Sequence, residues 1–213
     1  MTTDPKILLI ACALALPPLA CADDDTSAGE DATSMGSDGG TDASTEDTTT
    51  AAVDDTGAPL DIDAMYACEE SQLLIGAPFA GPGYDPALGL TAPPQSSYVA
   101  HTTQVMVRPG AEGDFDAAVG QVLAQLAETE GLVGYSLALE PTCGFARTLG
   151  VWESEQAMYA FVGTGAHAAA MSQTAVLSRT GRTTHWEITA EEIPLAWDLA
   201  LAQIDGVEPF VYD

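Results

Sequence analysis

The side chains able to move a proton near neutral pH are few. The 213-residue sequence holds three histidines, His101, His167 and His185, and histidine alone has an unperturbed pKa in that range. His101 lies in "YVAHTTQVMVR", on one alternating face with Val99, Val105 and Val107. An imidazole among valines is either a hydrogen-bonded core group or the lining of an apolar pocket. His167 lies in "GTGAHAAAM", where Gly165, Ala166 and Ala168 leave room for a ligand. It acts there as a base or ligand, or it bonds a backbone carbonyl. These two are the candidate catalytic bases, with Tyr98 and Tyr135 as hydroxyl donors. His185, followed by Trp186, reads as a surface residue or a subunit seam. Arg147, inside "FARTLGVW", needs an acidic partner in Glu140, Glu153 or another subunit. There is no Ser-His-Asp set, phosphate loop, Cys-x-x-Cys or His-x-His. Neither a metal site nor a competing enzyme class is expected from the motifs.

These residues fall on elements that hydrophobic periodicity delimits. Residues 98–108 alternate as a strand, stopped by Pro109-Gly110. Residues 113–129 form a helix with Phe115, Val119, Val122, Leu123 and Leu126 on one stripe. A strand at 133–140 carries Tyr135, Leu137 and Leu139 on one face, and another at 145–152 ends in Trp152. Ser154 N-caps a helix with Ala157, Met158, Phe161 and Val162. Gly163-Thr164-Gly165 interrupts it before a second piece at 166–177. A fourth strand spans 183–189, and Pro194 opens a last helix at 195–204. The order βαββαβ plus one helix is an α+β, ferredoxin-like arrangement. Helices then cover one sheet face, and the other is expected to be open in a lone copy.

Charge and composition set the address. The formal charge is −27, and the single lysine and scattered arginines form no basic patch, which excludes nucleic-acid binding. Residues 1–20 read as an export signal, whose apolar run at 7–19 is shorter than the ~20 residues of a membrane span. Pro18-Leu19-Ala20-Cys21 is similar to a bacterial lipoprotein signal in which Cys21 is lipidated, although Pro18 stands where an aliphatic residue is usual. Ala20-Cys21-Ala22 also fits ordinary secretory cleavage. The expected location is the cell envelope, lipid-anchored, with a soluble secreted or periplasmic protein as the alternative. Residues 21–57, rich in Asp, Ser, Thr and Gly, read as a disordered acidic tether. Residues 58–95, dense in Pro and Gly, read as an arm over the domain at 96–213, with a short strand at 72–75. In an oxidising compartment the remaining cysteines, Cys68 and Cys143, are the expected disulfide.

Three stretches carry a family resemblance. They are "VRPG" closing the first strand, the helix with Phe115 near its start, and "LGVWESEQAMYAF" at 149–161. Together they resemble the antibiotic-biosynthesis-monooxygenase-like domains of the dimeric α/β-barrel superfamily, over about residues 97–189. The resemblance implies a homodimer with sheets packed face to face. It also implies a pocket between sheet and helices for a small apolar or aromatic ligand, lined by Trp152, Phe161, Tyr98, Tyr135 and Met171. The implied activity is a cofactor-independent oxygenase; a binding or structural module without chemistry is the alternative. Such an oxygenase needs a base and a dry site, for which His101 and His167 are available. The haem-cleaving branch of the resemblance requires a tryptophan on the second helix and a histidine ten residues on. Phe161 and Met171 stand at those positions, which disfavours haem, and no cofactor is expected.

Overall fold

The computed structural model describes residues 60–70 and 72–212. The signal at 1–20, Cys21 and the tether at 21–57 lie outside the described residues. Helix α1 (Ile62–Tyr66) is capped by Asp61, whose carboxylate accepts the Ala64 N–H at 2.9 Å. Strand β1 (Leu74–Ala80) and the hairpin β2 (Tyr84–Asp85) and β3 (Gly89–Leu90) complete the arm. Then come β4 (Tyr98–Val107), α2 (Glu112–Leu126), β5 (Leu132–Glu140) and β6 (Phe145–Trp152). They are followed by α3 (Glu155–Val162), α4 (Gly165–Met171), α5 (Thr174–Leu177) and β7 (Ser178–Ile188). Helix α6 (Trp197–Ile204) and strand β8 (Phe210–Val211) close the chain.

The six-stranded sheet runs β1-β5-β6-β4-β7-β8, with every pairing antiparallel. Its inner four strands follow the ferredoxin-like order. The arm does more than lie over the domain, because β1 pairs with β5 and extends the sheet. Pro78 is tolerated because β1 is an edge strand, where a missing N–H breaks no inner ladder. Strand β7 starts five residues earlier than the apolar alternation indicates. Its first half carries Thr180 and Arg182, which face a buried polar cluster rather than an apolar core.

On one face, Phe115, Val119, Val122 and Leu126 of α2 join Val99, Val105, Leu137, Ala146 and Trp152 of the sheet. Met158, Phe161, Ala170 and Leu177 from the later helices complete that core. The opposite face, expected to be open, is closed by the same chain. One half packs Tyr98, Ala100, Val133, Leu149, Val151 and Ile188 against Leu195 and Ala200. Trp197 anchors α6 there through its indole N–H, which donates to Ser136 Oγ at 3.2 Å. The other half lies under α1 and the residues after it. Tyr66 packs on Phe145, with ring centroids 5.2 Å apart. Glu70 accepts hydrogen bonds from Arg147 Nε at 2.9 Å, from Arg147 Nη2 and from Gln104 Nε2. Arg182 Nε donates to Gln104 Oε1 at 2.5 Å, and its guanidinium lies 4.6 Å above the Tyr66 ring. Arg147 thus pairs with Glu70, not with Glu140 or Glu153. The Glu140 carboxylate is already held by the N–H groups of Gln72 and Cys143, at 3.1 and 2.6 Å. A disulfide joins Cys68 to Cys143, Cα–Cα 5.8 Å, and fixes this half of the cover to the β5–β6 turn.

Arg147 is 2% exposed, so its charge depends on Glu70. Glu70→Ala is expected to cost about 3–5 kcal/mol, because it strands a buried guanidinium. The paired change Glu70→Leu with Arg147→Met is expected to recover most of that loss. Urea denaturation monitored by circular dichroism measures both.

Candidate functional site

The site grows from the centre of the sheet. His101 on β4 is flanked by Gly150 on β6 and by His185 on β7. The imidazole lies across Gly150, where an added Cβ would stand 2.2 Å from His101 Cε1. Only glycine leaves that space. Two residues on, β6 ends in the fully buried Trp152. Ser154 then starts α3 by accepting the Ala157 N–H at 3.2 Å, which turns Met158 and Phe161 inward. Helix α4 brings His167. Its entry residue Gly165 has φ +58°, and a Cβ there would meet the Gln125 side-chain amide at 2.8 Å. That amide accepts the His167 N–H at 2.9 Å and donates to the Thr164 carbonyl at 3.2 Å. Gly165 therefore serves the close packing of α4 against Gln125 of α2.

These elements enclose a cavity of about 20 Å³, lined by His101, Trp152, Phe161, His167 and His185 together with Thr103 and neighbouring residues. That is about the room of one water molecule. All three histidines of the chain face it. Trp152 Nε1 donates to His101 Nδ1 at 2.8 Å. An indole nitrogen only donates, so Nδ1 is the acceptor and the neutral ring carries its proton on Nε2. His167 has the opposite arrangement. Its Nδ1 faces the Val162 carbonyl at 3.0 Å, and a carbonyl only accepts, so Nδ1 holds the proton. His167 Nε2 is left as a bare acceptor, buried and without a partner among the described residues. An aromatic chain links the two imidazoles. Trp152 packs on Phe161 at 5.1 Å and Phe161 on His167 at 4.7 Å between ring centroids.

Burial sets the charge state. Desolvation, reinforced by the neighbouring His167 and His185, lowers the His101 pKa to about 3. Desolvation also lowers His167 to about 4, against the opposing pull of the Val162 carbonyl. Both rings are neutral at physiological pH. At the mouth, His185 Nε2 stands 3.3 Å from Glu155 Oε1, and Tyr159 meets the His185 ring edge-on at 5.9 Å. Two roomier recesses, of about 340 and 290 Å³, lie elsewhere and contain no histidine. Among the described residues no group of three or more His, Cys, Asp or Glu is arranged to hold a metal ion.

The model of the antibiotic biosynthesis monooxygenase family matches residues 98–173, which begins at β4 and ends just past α4. Residues 98–173 are an antibiotic biosynthesis monooxygenase-like domain. Several solved structures are similar to this monooxygenase-like domain and its surroundings. Rv0793 from Mycobacterium tuberculosis is 20% identical, with 42% of this chain and 92% of the other covered at a TM-score of 0.39. SO0527 from Shewanella oneidensis is 10% identical, with 45% and 95% covered at 0.41. NE2512 from Nitrosomonas europaea is 17% identical, with 47% and 98% covered at 0.40. No curated protein matches the chain.

Within the monooxygenase-like domain, Trp152 and Phe161 line the cavity with His101 and His167. Three other expected pocket residues do not. Tyr98 differs in strand parity from His101, so it points into the opposite core, where its hydroxyl accepts the Gln95 N–H at 3.0 Å. Tyr135 lies opposite Gly150 on β5, two strands from His101, and packs on the helical core away from the cavity. Met171 sits four residues beyond His167, about 6 Å further along α4, and packs at the edge of the same core. His185, read as surface or seam, is instead the third histidine of the cavity, because its pairing with His101 fixes its face. Gly150 and Gln125 were missed. A glycine inside an otherwise apolar strand is a signal of close approach that could have found the first; no local pattern points to the second.

The depressed histidines predict a specific pH dependence. Between pH 6.5 and about 4 the unfolded chain takes up a proton at residue 167 while the folded chain does not. Stability therefore falls as pH drops through that window, by on the order of 3 kcal/mol for this residue. His101 extends the loss toward pH 3. In urea titrations at successive pH values, the difference between wild type and His167→Gln should narrow by that amount as the pH falls. A constant difference would show that His167 is not buried as a neutral ring.

Proposed function

We propose that the chain is an exported, lipid-anchored envelope protein whose monooxygenase-like domain holds a small, neutral, hydroxyl-bearing aromatic ligand between His101 and His167. The observation that carries this reading is the pair of neutral imidazoles at one cavity, His101 half-buried with a proton on Nε2 and His167 buried with a bare Nε2. A phenol matches both: its oxygen accepts from His101 and its O–H donates to His167. Cofactor-independent oxygenation is the activity this pair suits. His167 is a weak base at rest, but a phenolate formed beside it in a dry site holds the imidazolium by direct attraction. The phenolate then reduces dioxygen. One oxygen atom enters the ring, the other leaves as water, and the phenol loses four electrons to become a quinone. No other reductant is consumed.

Export and anchoring through Cys21 rest on the residues at 7–21, and the Cys68–Cys143 disulfide supports an oxidising compartment. The resemblance implies a homodimer through the second sheet face. With α1 and α6 packed there, the chain completes its own domain in this reading, and light scattering of residues 58–213 is expected to give the mass of one chain. A two-chain mass would restore the homodimer, on a surface other than that face.

A second reading, a binding or structural module without turnover, is favoured by the cavity's room of about 20 Å³. An aromatic ring enters only if α3 or α4 moves. Oxygen uptake and labelled-dioxygen incorporation with a panel of phenols and naphthols decide between the two. Turnover by the wild type, lost about a hundredfold or more in His167→Ala with an unchanged fold, supports the oxygenase. Calorimetric binding without oxygen uptake selects the second reading, and the absence of both overturns the ligand site.

A further inference from the structure

We propose that Trp152 is a positioning residue: its indole N–H fixes the tautomer of His101, so that His101 and His167 present one donor and one acceptor to a ligand instead of two acceptors. The proposal rests on the reading of the cavity as a ligand site. A neutral imidazole has two tautomers of similar energy, and the one present is set by what the ring nitrogens meet. At His101 the decisive contact is the 2.8 Å hydrogen bond from Trp152 Nε1 to Nδ1. Among the described residues no other group hydrogen-bonds the ring, so none of them besides Trp152 selects the Nε2–H form. At His167 the Val162 carbonyl selects the other form. The hydroxyls of Thr103 and Thr183 offer no substitute donor. Thr183 donates to the Thr102 carbonyl at 3.0 Å, and Thr103 lies 3.0 Å from Thr183, where its proton is engaged.

The placement of Trp152 matches this role. Its ring is fully buried and packed on Phe161, so the N–H direction is fixed by the core. Gly150 lets the His101 ring lie against β6 and reach the indole. A phenylalanine at 152 would fill much of the same core yet leave Nδ1 without a donor. His101 would then be free to place its proton on Nδ1 and turn a lone pair toward the ligand oxygen, which repels it.

The test keeps shape and removes the donor. Trp152 is replaced by benzothienylalanine, an indole isostere with sulfur in place of N–H, and in parallel by phenylalanine. Histidine nitrogen NMR without ligand reads the tautomers directly. The expected wild-type spectrum shows His101 protonated on Nε2 and His167 on Nδ1. In both variants His101 should shift to a mixture that includes the Nδ1–H form, while His167 stays unchanged as an internal control of folding. Phenol affinity should fall about tenfold, the cost of one hydrogen bond. Should the Phe variant not fold, the isostere alone decides. An unchanged His101 tautomer in the isostere overturns the proposal, and so does a changed tautomer with undiminished affinity for phenol. If the wild type binds no phenol, the ligand reading fails, and the NMR result still decides whether Trp152 sets the tautomer.

Discussion

An antiparallel sheet with helices on one side leaves half its apolar surface to be shielded by something else. The demand is greatest at β6, whose eight residues are all buried. Ala146, Thr148, Gly150 and Trp152 face the helices; Phe145, Arg147, Leu149 and Val151 face the other way. The chain meets that demand with its own flanks. Helix α6 supplies an apolar cover for Leu149 and Val151. Helix α1 and Glu70 supply an aromatic and ionic one for Phe145 and Arg147. Residues that would look like an appendage and a tail are structural parts of the domain.

The two faces of β6 do different work. The small residues on the helical side let rings from other elements come close. Gly150 admits His101, and its neighbour in the alternation, Trp152, supplies the hydrogen bond that holds it. The result is a cavity lined by imidazoles and threonine hydroxyls whose walls are otherwise mainly carbon. Neutral rings in such a place cost less than charged ones would, which is why burial and the lowered pKa values go together. The buried arginines lie on the opposite face with Glu70, so the charge of Arg147 and Arg182 does not reach His101 and His167 through a shared contact.

The alternating and helical patterns made the central βαββαβ order readable, down to the limits of β6 and the Ser154 cap, because those elements bury apolar residues at regular spacing. The parts that escaped depend on contacts far apart in sequence. Glu70 and Arg147 are separated by 77 residues, and no periodicity announces their pairing. Thr180 and Arg182 hid the first half of β7, since a strand facing a buried polar cluster looks exposed. In the site, His101 and His167 were legible as residue types. Tyr98 was misplaced although strand parity excluded it once His101 was put on the valine face. His185 was read as surface or seam because its meaning comes from the strand it pairs with, not from its neighbours in the chain.

The position of the disulfide also bears on mechanical load. Cys68 lies on the N-terminal side of the arm, and Cys143 lies in the turn between β5 and β6. Tension applied from before Cys68 and resisted from beyond Cys143 passes through the sulfur bridge. The 74 residues between them, which include the edge strand β1, helix α2 and His101, form a closed covalent loop whose backbone the bridge bypasses. Edge strand β1 on its own would unzip one hydrogen bond at a time under such a pull. With the bridge in place, force enters the molecule at the start of β6, inside the sheet, and the edge strand β1 is spared.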